Sequence, residues 1–255
     1  MNNRPRVIPT LLLGHGNLYK TKKFKNPNYL GDPINAIKIF NEKEVDELCI
    51  LDICASKEKA EPDYELLKKM STESFMPLSY GGGIATFEQC KRIYELGYEK
   101  IIFNTSFINN TKLIEEASAY FGKQSVVVSI DYKNTFFSQK CYSNDGEIKN
   151  NYSPIELAKL AEEKGAGEIL LYSMDRDGMR CGYDIETIRR VVDTVSIPVI
   201  ACGGAGSIDD IAIVINQTNV AAVAAGSIFV YFGKKDAVLI NYPNENIMIE
   251  KGIYK

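Results

Sequence analysis

Short apolar runs alternate along this chain with stretches in which apolar positions recur every three or four residues. The first pattern is that of a strand and the second that of a helix with one buried face. Eight runs carry the strand pattern: Val7–Leu13, Glu47–Ile53, Met76–Tyr80, Lys100–Asn104, Ser125–Asp131, Glu168–Ser173, Pro198–Cys202 and Ala221–Ala225. Between them, Pro33–Asn41, Phe87–Leu96, Pro154–Lys164 and Ile185–Thr194 have helical spacing. Strand and helix in strict turn predict βα units on a parallel sheet.

The chain also matches itself. Met76-Pro-Leu-Ser-Tyr-Gly-Gly-Gly resembles Ile197-Pro-Val-Ile-Ala-Cys-Gly-Gly, with the two prolines 198 − 77 = 121 residues apart. The same offset lays the second strand on the sixth and the fourth on the eighth, and Leu12 pairs with Asp131 at 131 − 12 = 119. Eight strands and a repeat of half the length predict a closed (β/α)₈ barrel of two similar half-barrels, one domain over residues 1–255, rather than an open doubly wound sheet.

Composition narrows the partners. Hydrophobic residues are 45% and charged residues 25% of the 255, enough apolar surface for a full core. Thirty basic against thirty-three acidic residues leave a net charge of -3, which gives no electrostatic reason to expect nucleic acid or an anionic membrane as partner. No apolar run approaches the ~20 residues of a bilayer span. Met1-Asn-Asn-Arg-Pro-Arg leads into a first strand rather than a secretion signal. Six scattered cysteines without a C-x-x-C pair fit a reduced cytoplasm and read as structural, and one histidine, His15, argues against a zinc site. The motifs call for no cofactor and no metal.

In a barrel of this type the active site lies at the C-terminal ends of the strands. Gly82 and Gly83 follow the third strand, Gly203 and Gly204 the seventh, and each pair leads into a helix start, where free N–H groups and the helix dipole hold phosphate. Asn104 and Thr105 complete the first nest. Gly226 and Ser227, with Asp177 and Gly178, complete the second. Asp131 ends the fifth strand as the candidate for general acid/base chemistry, with Asp52 and Asp175 as supports or as ion-pair partners of Arg176 or a lysine. The lysine run Lys20, Lys22, Lys23 and Lys25 reads either as a solvated face or as a basic lid over a phosphorylated ligand. His15 reads as a loop residue.

Gly31-Asp-Pro, Leu51-Asp-Ile-Cys-Ala-Ser, Gly81-Gly-Gly-Ile, Ser129-Ile-Asp, Lys164-Gly-Ala-Gly-Glu, Asp175-Arg-Asp-Gly and Gly203-Gly-Ala-Gly together resemble the cyclase subunit (HisF) family of imidazole glycerol phosphate synthase, over residues 4 to 232. The resemblance implies a barrel that takes ammonia from a glutaminase (HisH-like) subunit docked at its N-terminal face and uses it to cleave and cyclise a substrate with two phosphates. It also implies an ammonia gate of four charges, matched here by Arg6, Glu47, Lys100 and Glu168. Buried ions are tolerable when mutually paired, so alternating sign is physically sensible; a stabilising salt-bridge cluster is the other reading of the four.

The chain departs from the family where the chemistry is expected. The family's general acid/base pair falls at Asp131 and at Leu12, and leucine cannot carry a proton. Tyr172 stands where the family prefers threonine, and Ile102 where a small polar residue lines the channel. These changes resemble the branch found with surface-polysaccharide genes, which implies an ammonia-conducting subunit serving a third, sugar-amidating enzyme. The alternative is an active cyclase, a lyase of histidine biosynthesis. A related sugar-phosphate isomerase is a remote third, since it would leave the four-charge gate unexplained.

Overall fold

The computed structural model describes residues 4–136, 138–233 and 235–254; residues 1–3, 137, 234 and 255 of the expected single domain lie outside the described residues. Eight parallel strands form its centre: β1 (Arg6–Gly14), β2 (Leu48–Asp52), β3 (Leu78–Gly81), β4 (Lys100–Phe103), β5 (Val126–Asn134), β6 (Glu168–Ser173), β7 (Val199–Cys202) and β8 (Ala222–Ala225). Each pairs with its neighbours in sequence order. β8 returns to β1 with Arg6 opposite Ala222, so the sheet is a closed barrel. The eight strands expected from the sequence are thus all present, with no end shifted by more than three residues.

Helices surround the strands, and their starts follow from local sequence. Asp32 caps α1 (Pro33–Glu42) by accepting from Asn35 N, and Pro33 loses nothing in a first turn whose N–H groups have no helical partner. Thr86 and Gln89 form a capping box on α4 (Phe87–Glu95). Ser207 and Asp210 do the same for α9 (Ile208–Thr218), at the same 121-residue spacing as the glycine pairs. Of the remaining helices, α2 (Ala55–Glu58), α3 (Tyr64–Glu73), α5 (Thr105–Asn109), α6 (Thr111–Phe121), α7 (Pro154–Glu163), α8 (Ile185–Val192) and α10 (Ser227–Val230) lie in the other βα connections, and α11 (Glu245–Glu250) follows the barrel. Among the described residues no helix is long and apolar enough to cross a membrane.

Two apolar layers result. The larger packs the outer strand faces (Val7, Leu11, Ile50, Ile101, Val128) against the helices. The smaller fills the barrel with Ile8, Cys49, Ile102, Val127, Leu170, Ile200 and Ala224, capped from above by Phe24 and Leu51.

Two hairpins were not anticipated. Asn17–Lys22 and Lys25–Gly31 run antiparallel, the first pairing with the end of β1 (Leu12 opposite Tyr19). Gln139–Ser143 pairs antiparallel with β5 and with Ile148–Lys149. Both rise at the C-terminal end of the barrel, and the first carries the lysine run between β1 and α1.

Candidate functional site

At the N-terminal end of the barrel Arg6, Glu47, Lys100 and Glu168 point inward and form a closed ring. Arg6 binds Glu47 at 2.5 Å and also pairs with Glu168; Lys100 Nζ lies 2.9 Å from each glutamate. Both glutamates are buried, at 3% and 4% exposure, and each faces two cations, the mutual pairing that makes buried ions tolerable. Above the ring is a small cavity lined by Ile8, Glu47, Cys49, Ser79, Ile102, Val127, Leu170, Ile200 and Ala224. Ile102 also lines the pocket at the other end.

That pocket, about 720 Å³ including its open mouth, brings together Leu12, Phe24, Asp52, Gly82, Gly83, Ile102, Asn104, Thr105, Ser129, Asp131, Asp145 and Tyr172. Asp131 is buried and accepts a hydrogen bond from Ser129 Oγ at 2.7 Å. Burial pushes its carboxyl up to about 7, against the pull of Ser129, and the charges of Asp145 and Asp177 add to the rise. Leu12 is 3% exposed and carries nothing that could move a proton.

Asp145 went unnoticed in the sequence. It sits in the turn of the second hairpin at φ 52°, where burial raises its carboxyl to about 6 despite Lys57 Nζ at 2.8 Å. Asn144-Asp-Gly is a readable turn signal, but only the pairing of Asp131 with Tyr142 carries that turn back over the barrel mouth.

The glycine pairs have a packing reason. A Cβ on Gly82 would meet Asp52 Cβ at 2.6 Å, and one on Gly203 would meet Ser173 O at 2.6 Å. Asp52 and Ser173, like Gly82 and Gly203, are separated by the repeat spacing, so the two half-barrels turn the same corner in the same way. Asn104 is committed to structure: its Nδ2 donates to Ser129 O and Tyr142 O, which leaves the side chain no free donor for a ligand. Thr105 Oγ1 accepts from Asn144 N at 2.9 Å. Asp52 Oδ1 accepts from Cys54 N and Ala55 N, so it shapes the turn after β2. Asp175 accepts from Asn134 N, while Arg176 donates to Gly182 O.

The second nest has a different organisation from the one expected. Gly178, Gly203, Gly204, Gly226 and Ser227 converge, but the carboxylate of Asp177 is fully engaged by Lys20 Nζ (3.1 Å), Tyr172 OH (2.8 Å), Thr21 Oγ1 (2.6 Å) and Phe24 N (3.3 Å). An anion repels an anion, so this side chain is no phosphate donor; it anchors Lys20, whose Nζ lies where a Cβ on Gly226 would approach to 3.0 Å. Lys20 is accordingly 5% exposed and not part of a solvated run, whereas Lys22, Lys23 and Lys25 face solvent. The hairpin tip is fixed by Lys23 N donating to Asp177 O at 2.9 Å, and the Phe24 ring meets Tyr172 edge-on at 4.8 Å over the barrel mouth.

The family model for histidine biosynthesis proteins matches residues 6–236. The chain belongs to this family. It is 51% identical over 244 residues to a protein of Pseudomonas aeruginosa provisionally named imidazole glycerol phosphate synthase subunit hisF2, covering 95% of this chain and 97% of that one. A Leptospira interrogans protein provisionally named subunit HisF is 50% identical over 243 residues, 94% and 96% of the two chains. The imidazole glycerol phosphate synthase subunit HisF of Petrotoga mobilis is 39% identical over 228 residues, 89% and 90% of the two chains. The matched segment contains both Leu12 and Asp131.

Proposed function

We propose that this chain is the barrel subunit, one domain over its length, of a glutamine amidotransferase of the imidazole glycerol phosphate synthase type. Ammonia from a HisH-type glutaminase at the N-terminal face enters through the ring of Arg6, Glu47, Lys100 and Glu168, crosses the apolar interior and meets a phosphorylated acceptor beneath Phe24. The observation that carries this reading is the axial arrangement: a paired-charge ring at one end, a titratable pocket at the other, and Ile102 shared by the cavities between. Neutral ammonia crosses such an interior more readily than ammonium, because only the ion pays the desolvation cost. The names of the relatives support the cyclase reaction as the chemistry at the mouth.

Cyclisation needs one group to give a proton and another to take one. Asp131, with its carboxyl near 7, is suited to either task at neutral pH. Leu12 supplies nothing; of the other two carboxyls lining the pocket, Asp52 is held by Cys54 N and Ala55 N, which leaves Asp145, near 6, as the second candidate. In this reading the phosphates rest on the glycine turns, with Lys20 as the cation of the second nest and Gly82, Gly83 and Thr105 in the first.

A second reading, transfer of ammonia to a sugar by a third, sugar-amidating enzyme, is favoured by Leu12 itself and by Tyr172, which fills the mouth with a phenol hydrogen-bonded to Asp177. The full-length protein given ammonium salt and the bisphosphate family substrate separates the two. Cyclase activity should form the imidazole product, and Asp145→Asn should slow it by ~10²-fold or more, the usual worth of one general acid or base. Absence of imidazole product at saturating ammonium would remove the cyclase reading. Product with unchanged rate in Asp145→Asn would remove Asp145 from it.

A further inference from the structure

The turn after β1 and the start of α2 meet at the rim of the mouth, and their meeting gathers three metal-binding side chains that the proposed reaction does not use. His15 Nε2 lies 3.4 Å from Glu58 Oε1, and these two atoms with Cys54 Sγ all lie within 4.8 Å of one another. Cys54 is the N-cap of α2 and Glu58 its last residue, an i,i+4 pair on one helix face. His15 reaches them from the opposite element at φ 46°, a left-handed conformation that turns the chain back across the rim. The sequence argued against such a site because one histidine and dispersed cysteines show no ligand spacing; the ligands here come from two βα units.

We propose that His15, Cys54 and Glu58 form a three-ligand site for a borderline-soft divalent cation of the zinc class. Imidazole, thiolate and carboxylate are the donor set that zinc accepts, and a tetrahedral ion with bonds of about 2.0–2.3 Å holds its ligand atoms roughly 3.3–3.8 Å apart. The His15–Glu58 pair already has that spacing, and side chains exposed at 63% and 51% have room to bring the third atom in. Three features of the surroundings suit the assignment. Among the described residues Cys54 Sγ makes no hydrogen bond. Gly14 leaves space for it, since a Cβ there would meet the sulfur at 3.0 Å. Asp52 Oδ1 holds the N–H groups of Cys54 and Ala55, the kind of outer contact that orients a ligand from behind, and its charge adds to that of Glu58 in favouring a cation. Asp52 and Ser56, two residues to either side of Cys54, line the pocket at the mouth, so the three ligands stand beside it. A bound ion ties the base of the first hairpin, which covers the mouth, to α2.

The full-length protein, freed of metal by chelator and dialysis, is titrated with Co²⁺ as a spectroscopic stand-in and then with Zn²⁺. One equivalent of Co²⁺ should give the near-ultraviolet thiolate-to-cobalt charge-transfer band and the visible bands of a four-coordinate ion, both abolished by Zn²⁺. Cys54→Ser should remove the charge-transfer band, and His15→Asn, at an exposed side chain, should weaken binding roughly tenfold or more. Absence of the band, its persistence in Cys54→Ser, or unchanged affinity in His15→Asn would each overturn the site. None of these readouts depends on ammonia transfer or cyclisation.

Discussion

Asp131 is a carboxylic acid that the fold prefers to keep protonated, and this has a cost that can be measured. Its carboxyl rises from the ordinary ~3.9 of an unfolded chain to about 7 through burial. The folded state therefore binds the extra proton between those values, and stability from this group, present below the lower one, is lost as pH rises through the higher one. Asp131→Asn carries no charge to bury. Its melting temperature should exceed that of the parent by a margin that grows between about pH 5 and pH 8, as followed by thermal unfolding across that range. A margin that stays constant would mean that the carboxyl titrates normally. Asp131 was legible as a candidate at this scale because it follows the apolar start of β5. Asp145 and Lys20 were not, because their positions depend on hairpins that carry them back over the mouth, and nothing local marks a lysine in a basic run as the buried one.

The first hairpin shows why such an element escapes the sequence. A tight turn between antiparallel strands needs positive φ at its centre and ordinarily uses Asn-Gly or Asp-Gly. Here the turn residues are Lys23 at φ 55° and Phe24 at φ 59°, two poor choices locally. Asp177 holds them there from another βα unit, and Gly178 at φ 66° gives way to Thr21 O, which a Cβ would meet at 2.3 Å. The eight strands and the starts of α1, α4, α7 and α8 were legible because apolar runs and caps are local signals; a turn held by tertiary contact is not. Asp177→Asn should accordingly loosen the whole hairpin. It leaves the buried Lys20 cation without a counter-charge, a loss of the order of 3–5 kcal/mol when one partner of a buried pair is removed. Amide exchange over residues 17–31 should accelerate far more than that of β5 or β6, and Lys20→Met added to Asp177→Asn should restore part of the protection. Uniform exchange rates would show that Phe24 packing alone fixes the hairpin.

Across the whole molecule, stability and proposed transport meet in the same four residues. The ring closes the N-terminal end of the barrel with two cations between two buried carboxylates, and the apolar interior above it ends at Ile102 and the pocket of Asp131. Removing Lys100 leaves Glu47 and Glu168 facing each other with Arg6 alone between them, so the ring should relax open or take up water and protons. In a complex with the proposed glutaminase, Lys100→Met should therefore still permit glutamine hydrolysis while less of the ammonia reaches the acceptor. Product formed per glutamine consumed should fall, whereas product formed from added ammonium salt at the open C-terminal mouth should change little. Parallel loss of both would point to a barrel that no longer folds, which thermal unfolding of the variant would reveal. An unchanged ratio in a folded Lys100→Met protein would leave the ring as a salt-bridge cluster that holds the barrel shut, and the path of ammonia would have to lie elsewhere.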